Sequence, residues 1–75
     1  MTSDKLLCEI HDGIMTLSLN RPEKLNAIDN DLAHELLQSL HAAGEDRSVR
    51  VVLIRGNGRA FCAGRDLSAA PTDED

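Results

Sequence analysis

Apolar and polar positions alternate along the first part of the chain. Leu6, Cys8 and Ile10 alternate with Leu7, Glu9 and His11, and Met15, Leu17 and Leu19 alternate with Thr16, Ser18 and Asn20. A period of two is that of a half-buried strand, so two strands are predicted. Asp12-Gly13 lies between them and supplies a two-residue hairpin turn, with glycine taking the positive φ that primed turns need. Pro22 ends the second strand, because proline cannot donate to a continuing ladder. The period then lengthens. Leu32, Leu36, Leu40 and Ala43, joined by Ala33 and Leu37, share one stripe at helical spacing. This predicts a helix over roughly residues 30–43, with Asp29 as N-cap and Gly44 just past the end. After a charged turn, the most apolar run of the chain, residues 49–54, reads as a buried strand. Strand, helix and strand at these lengths form a βαβ unit, which almost always crosses over right-handed. The predicted class is therefore α/β: a β-hairpin, then a βαβ unit, over residues 1–67. Residues 68–75 lose the pattern and read as a polar, acidic, solvated tail; no internal repeat or interdomain linker is visible.

The chemistry-bearing stretch follows the last predicted strand: Gly58-Arg59-Ala60-Phe61-Cys62-Ala63-Gly64-Arg65-Asp66-Leu67. Loops at the carboxyl ends of strands are where open α/β folds place ligands. The small residues Ala60, Ala63 and Gly64 allow another molecule to lie close against the backbone. Gly64 permits a sharp turn, after which the N–H of Arg65 points outward at the start of a new helix, where negative charge is favoured. Two familiar phosphate loops do not fit. A P-loop needs a glycine where Ala63 stands, followed by Lys and Ser/Thr, and the dinucleotide fingerprint needs a small residue where Phe61 stands.

The segment Ala60-Phe61-Cys62-Ala63-Gly64-Arg65-Asp66-Leu67 resembles the A-F-(C/S/A)-A-G-x-D-L signature of the enoyl-CoA hydratase/isomerase (crotonase) superfamily. Independently, Leu19-Asn20-Arg21-Pro22-Glu23-Lys24-Leu25-Asn26-Ala27-Ile28 is similar to the N-R-P-x-x-x-N-A segment that leads into that family's first helix. The resemblance runs from about Leu6 to Leu67. It implies the N-terminal part of a crotonase (ClpP/crotonase-like) fold, left incomplete, since family members continue through further strands, helices and a helical trimerisation region. On this resemblance the chain looks like a truncated copy, a fragment, or a piece that needs a partner. A strand apolar on both faces needs layers above and below it, and one helix supplies only one.

The resemblance also implies the site. Family members bind acyl-CoA thioesters and stabilise the enolate-like oxyanion at the thioester carbonyl with two backbone N–H groups. Carried over by position, the first donor is Arg65, through its amide and not its guanidinium. Donors already fixed in place need no reorganisation as charge develops. The family's second donor is a glycine in a later segment, and its acid/base carboxylates also lie further along. Glu23, Glu35, Glu45 and Glu74 do not occupy those motif positions. Ala63, Gly64, Asp66 and Leu67 would line the acyl-CoA channel, and Lys24, Leu25 and Ala27 would border the CoA. Lys24 either approaches a phosphate or is a solvated surface lysine, and Asp66 either lines the channel or stabilises the positive end of the following helix. Arg21 either borders the site or pairs with a carboxylate. No tightly bound cofactor is implied, coenzyme A entering as part of the substrate, and full-length members form homotrimers or hexamers. Cys62 to Leu67 followed by Ser68 resembles ring-opening isomerases of aromatic-acid degradation. The alternative is a non-catalytic module that binds CoA or serves assembly.

Composition narrows the remaining classes. Seventy-five residues allow one small domain, which buries only ~60% of its unfolded surface. A net charge of −5 with scattered Lys and Arg, and a single aromatic residue, argue against a nucleic-acid partner. No apolar run approaches the ~20 residues of a membrane span, and the polar start Met1-Thr2-Ser3-Asp4-Lys5 is neither a secretory nor a transit peptide. A soluble cytoplasmic protein is expected. Cys8 and Cys62 have no zinc spacing and are read as reduced thiols, with Cys62 a small buried hydrophobe rather than a nucleophile. His34 and His41 lie opposite the leucine stripe and face water, and no metal site is expected; His11 beside the turn is predicted to be exposed.

Overall fold

A computed structural model of the chain describes residues 4–65. The elements run β1 (Leu6–His11), β2 (Ile14–Leu19), a 3₁₀ turn (Pro22–Lys24), α1 (Asn30–Glu45) and β3 (Val51–Gly56). The sheet has the order β1-β2-β3. β1 and β2 pair antiparallel from Leu6 opposite Leu19 to His11 opposite Ile14. Asp12 at φ 51° and Gly13 at φ 81° give the primed turn that this register demands. β3 pairs parallel to β2, from Ile14 opposite Val51 to Leu19 opposite Gly56. The βαβ unit is therefore present, with α1 as its connection.

Residues opposite one another share a face of the sheet. The pairing thus places Leu6, Met15, Leu17, Leu19, Val52 and Ile54 on one side. α1 covers part of that side: Leu32 and Ala43 are buried with Leu6, Met15, Leu17 and Leu19, and Ile28, Leu36, Val49 and Cys62 pack around them. Each fully buried leucine contributes about 1.5–3 kcal/mol relative to leaving it in water. The helix begins where expected, with the Asp29 side chain accepting from the N–H of Leu32 at 2.9 Å.

Four expectations need adjustment. The last strand starts at Val51, not at residue 49, because the Gly13 carbonyl takes both the Arg50 and Val51 amides (2.7 and 3.2 Å) and Val49 closes a turn onto Asp46 at 3.0 Å. Nor is that strand buried: Val51 to Ile54 are all exposed on the described chain, Val52 and Ile54 on the face that α1 partly covers and Val51 and Leu53 on the opposite one. The helix does not stop at Gly44 but runs through it to Glu45, and the Asp46 amide closes its end on the Ala43 carbonyl. Only part of the leucine stripe is covered. Leu37 and Leu40 remain exposed, as do Cys8 and Ile10 on the edge strand. His11, His34 and His41 are exposed as expected, and Cys8 and Cys62 are free thiols. Among the described residues no helix is long and apolar enough to cross a membrane.

Candidate active-site corner

The first motif folds back on itself. Pro22 opens the 3₁₀ turn, where its missing N–H costs nothing. Leu25 (φ 53°) and Asn26 (φ 60°) then adopt the left-handed conformation in succession, which reverses the chain, and the Asn26 amide returns to the Arg21 carbonyl at 2.8 Å. Asparagine is among the few residues that tolerate this backbone. Its side chain is fully buried. Asn26 Oδ1 accepts from the Arg21 amide at 2.7 Å, while Nδ2 donates to the carbonyls of Asn57 at 2.8 Å and Ala60 at 2.9 Å. One side chain thus joins the turn after β2 to the loop after β3, using its acceptor and both of its donors.

That loop is pressed against the end of the sheet. A Cβ at Gly56 would stand 2.3 Å from the Phe61 carbonyl oxygen and 2.7 Å from that of Ala60. Only glycine lets the 60–61 backbone lie there. Asn57 strengthens the seam, its amide donating to the Leu19 carbonyl at 2.9 Å and its Nδ2 to Asn20 Oδ1 at 3.1 Å.

Charged groups brace the start of α1. Arg21 is buried and donates from its guanidinium to the Ala27 carbonyl at 2.6 Å, 3.6 Å from Asp29 Oδ2. Its structural role is therefore that of a carboxylate partner. Lys5 Nζ donates to Asp29 at 2.7 Å and to Asp31 at 3.1 Å. Burial pushes the Asp29 carboxyl up, but the hydrogen bonds from Lys5 and the Leu32 amide, with the nearby Arg21 charge, outweigh it and hold the group below its ordinary value. The same contacts hold Lys5 protonated above its ordinary value.

The second motif meets the first at Ile28. Its amide donates to the Gly64 carbonyl at 2.8 Å, and Ile28 and Arg65 form a parallel bridge. All peptide bonds described are trans. In a trans peptide the carbonyl of one residue and the N–H of the next point in opposite directions. Fixing the Gly64 carbonyl on Ile28 therefore turns the Arg65 N–H away from Ile28, and among the described residues that N–H has no acceptor. Gly64 has φ 97°, with nothing within 4 Å of where a Cβ would stand, so open space lies beside this peptide. The Gly64 amide itself rests on Cys62 Sγ at 3.4 Å. Cys62 is half-buried against the core, as a small hydrophobe would be.

Of the predicted site residues, Ala27 is brought beside Gly64 and Arg65 through its neighbour Ile28. Ala63, Gly64 and Arg65 are exposed. Lys24 and Leu25 are exposed on the outer turn of the first motif, where the Lys24 carbonyl accepts from the Ala27 amide at 3.0 Å. Asp66 and Leu67 lie outside the described residues, as does the proposed tail. A surface hollow of about 520 Å³ lies elsewhere, lined by Leu6, Leu7, Cys8, Glu9, Ser18, Arg55 and Asn57, and contains none of the predicted site residues. Among the described residues, no three His, Cys, Asp or Glu side chains are grouped to hold a metal ion. The seam formed by Asn26, Gly56 and Asn57 was not among the expected site residues. Its signal was an Asn inside a turn motif and a Gly ending a strand.

Comparison with known proteins places the chain. The profile of the family Enoyl-CoA hydratase/isomerase matches residues 9–74. The chain is 40% identical over 68 residues to the 1,2-epoxyphenylacetyl-CoA isomerase of Escherichia coli, covering 91% of this chain and 26% of the relative. It is 42% identical over 72 residues to the 3-hydroxyisobutyryl-CoA hydrolase 1 of Arabidopsis thaliana, covering 96% and 19%. A crystal structure of an enoyl-CoA hydratase from Mycobacterium avium superposes with a TM-score of 0.86 at 38% identity, covering 92% of this chain and 31% of that one. The chain thus spans about a fifth to a quarter of the length of these curated relatives. The hairpin, helix and parallel strand are a partial crotonase fold, and the chain belongs to the enoyl-CoA hydratase/isomerase family.

Proposed function

We propose that this chain supplies one oxyanion donor, the backbone N–H of Arg65, and one wall of an acyl-CoA channel in a reaction that passes through a thioester enolate. The observation that carries the reading is the peptide between Gly64 and Arg65: its carbonyl is held by Ile28, and its N–H is directed the other way, beside open space. A peptide donor aimed in advance at developing negative charge is worth about 10²–10³ in rate when it is removed. Ala63, Gly64, Asp66 and Leu67 would line the channel, with Lys24, Leu25 and Ala27 on its border. Coenzyme A belongs to the substrate, and no other cofactor is called for. An isomerase and a hydrolase both align with this stretch, so the likeness selects no single reaction.

These 75 residues hold one donor of the pair, and none of their glutamates stands at a family acid/base position. Alone they are expected to bind acyl-CoA without turning it over. Titrating the isotopically labelled chain with crotonyl-CoA should shift amides concentrated at residues 24–27 and 63–65, with no hydration of the substrate. Substantial turnover, or shifts absent from both segments, would overturn the reading.

A second reading is favoured by one observation, the exposed apolar residues on both faces of β3. In it the chain acts as an assembly module that is stable only against another surface. Helical and sheet content that rises with chain concentration, with no response to crotonyl-CoA, would select this reading.

A further inference from the structure

The Arg65 guanidinium does something the motif does not ask of it. Among the described residues nothing packs where a Gly64 Cβ would stand, and glycine leaves its own φ and ψ free. Among the described residues, the backbone hydrogen bond from Ile28 restrains the carbonyl side. The side chain of Arg65 turns back toward the same stretch. It donates to the Ile28 carbonyl at 3.4 Å and to Asn30 Oδ1.

We propose that the Arg65 side chain is a positioning group for its own backbone amide, tethering residue 65 to Ile28 and Asn30 so that the N–H keeps its outward aim. The tether rests on the reading of that N–H as an oxyanion donor. Its logic is geometric. A planar guanidinium offers a fork of donors that reaches two acceptors at once. The bond from Ile28 opposes rotation of the Gly64–Arg65 peptide, and the two side-chain bonds hold the Cα of Arg65 against displacement. The acceptors flank Asp29, the N-cap of α1, whose side chain accepts from the Leu32 amide. The donor loop thereby borrows the rigidity of the helix.

The test uses the full chain, labelled with ¹⁵N. Arg65→Ala keeps the peptide N–H and removes only the tether. Without ligand, the heteronuclear NOE of residues 64 and 65 should fall, while the thermal midpoint and the remaining amides stay as they were. With crotonyl-CoA, affinity should fall about three- to tenfold, the scale expected when a loop must be ordered on binding. Asn30→Asp offers the guanidinium a charged acceptor and should raise the NOE at residue 65. Made together with Arg65→Ala, it should have no effect there, which separates the tether from any general benefit of an acid at the helix start. An Arg65→Ala chain with unchanged NOE and unchanged affinity would overturn the proposal. If the unsubstituted chain binds crotonyl-CoA with no change at residue 65, the oxyanion reading fails. The ligand-free NOE still decides the tether: a fall in Arg65→Ala supports it and no change overturns it.

Discussion

Replacing Asn26 by alanine should remove most of the stability of this chain. The side chain is wholly buried and makes three hydrogen bonds, one within its own turn and two across the seam to the loop after β3. Its loss leaves the buried Arg21 N–H without an acceptor, at about 1–3 kcal/mol. The carbonyls of Asn57 and Ala60 are only partly buried, so water replaces their bonds in part, at about 0.5–1.5 kcal/mol each. Alanine must also hold the left-handed backbone of position 26, which costs about 1–2 kcal/mol. Taken together these effects amount to about 3–8 kcal/mol. A chain of 75 residues has a total of about 4–11 kcal/mol. The chain contains neither Trp nor Tyr, so urea unfolding should be followed by far-ultraviolet circular dichroism. Asn26→Gly relieves the backbone strain and should lie about 1 kcal/mol above Asn26→Ala. Asn26→Asp keeps the acceptor but sets a carboxylate against two carbonyls, and should be at least as damaging as alanine at pH 7. An Asn26→Ala chain within about 0.5 kcal/mol of the unsubstituted one would refute the view that this side chain joins the two motifs.

Three further outcomes are expected. Gly56→Ala places a methyl group 2.3 Å from the Phe61 carbonyl, so the 57–61 loop must move; a loss of about 1–3 kcal/mol and displaced amides at residues 57–61 should be seen in the same unfolding and spectral measurements. Gly64→Ala meets no neighbour but must adopt φ 97°; it should lower stability by about 1–2 kcal/mol and weaken the crotonyl-CoA response of residue 65. Asp29 is held below its ordinary value of 3.8 in the folded chain, so its charge stabilises above that pH, and the benefit is lost as pH falls through the depressed folded value. Asp29→Asn retains a capping oxygen and loses the charge. Its penalty in urea should therefore be full at pH 7 and shrink toward nothing as the pH drops well below 3.8.

The parts of the fold legible in the sequence are those decided by neighbours in the chain. Asp12-Gly13 predicts its hairpin because two consecutive positive-φ residues determine the turn by themselves. Asp29 predicts the helix start because a cap acts within one turn of helix. The frame of β3 was not legible, since its first residue is set by the Gly13 carbonyl, which catches two amides from a loop remote in sequence. Gly44 read as a stop, yet nothing in its surroundings requires a left-handed conformation, so the helix continues through it. The apolar pattern of residues 49–54 correctly marks a strand suited to burial. What covers such a strand is a property of the surrounding layers, and on the described residues the second face is open.

The site divides in the same way. The motif Ala60 to Leu67 and the motif Leu19 to Ile28 identify the family from residue types alone. That they meet through Asn26, and again through Ile28 and Gly64, is tertiary information, carried by hydrogen bonds between segments more than thirty residues apart. Arg21 shows the limit most clearly. Its type allowed either a place beside the CoA or a carboxylate partner, and only its burial against Asp29 and the Ala27 carbonyl decides for the second.

The central claim concerns one N–H group and is tested by comparing two ligands that differ in one oxygen. The ¹⁵N-labelled chain should be titrated with crotonyl-CoA and with the corresponding thioether, which lacks the carbonyl. The account predicts that the Arg65 amide moves strongly downfield with the thioester and hardly at all with the thioether, while the amides of residues 24–27 respond to both. Equal shifts of the Arg65 amide with the two ligands, or no shift with either, would contradict it.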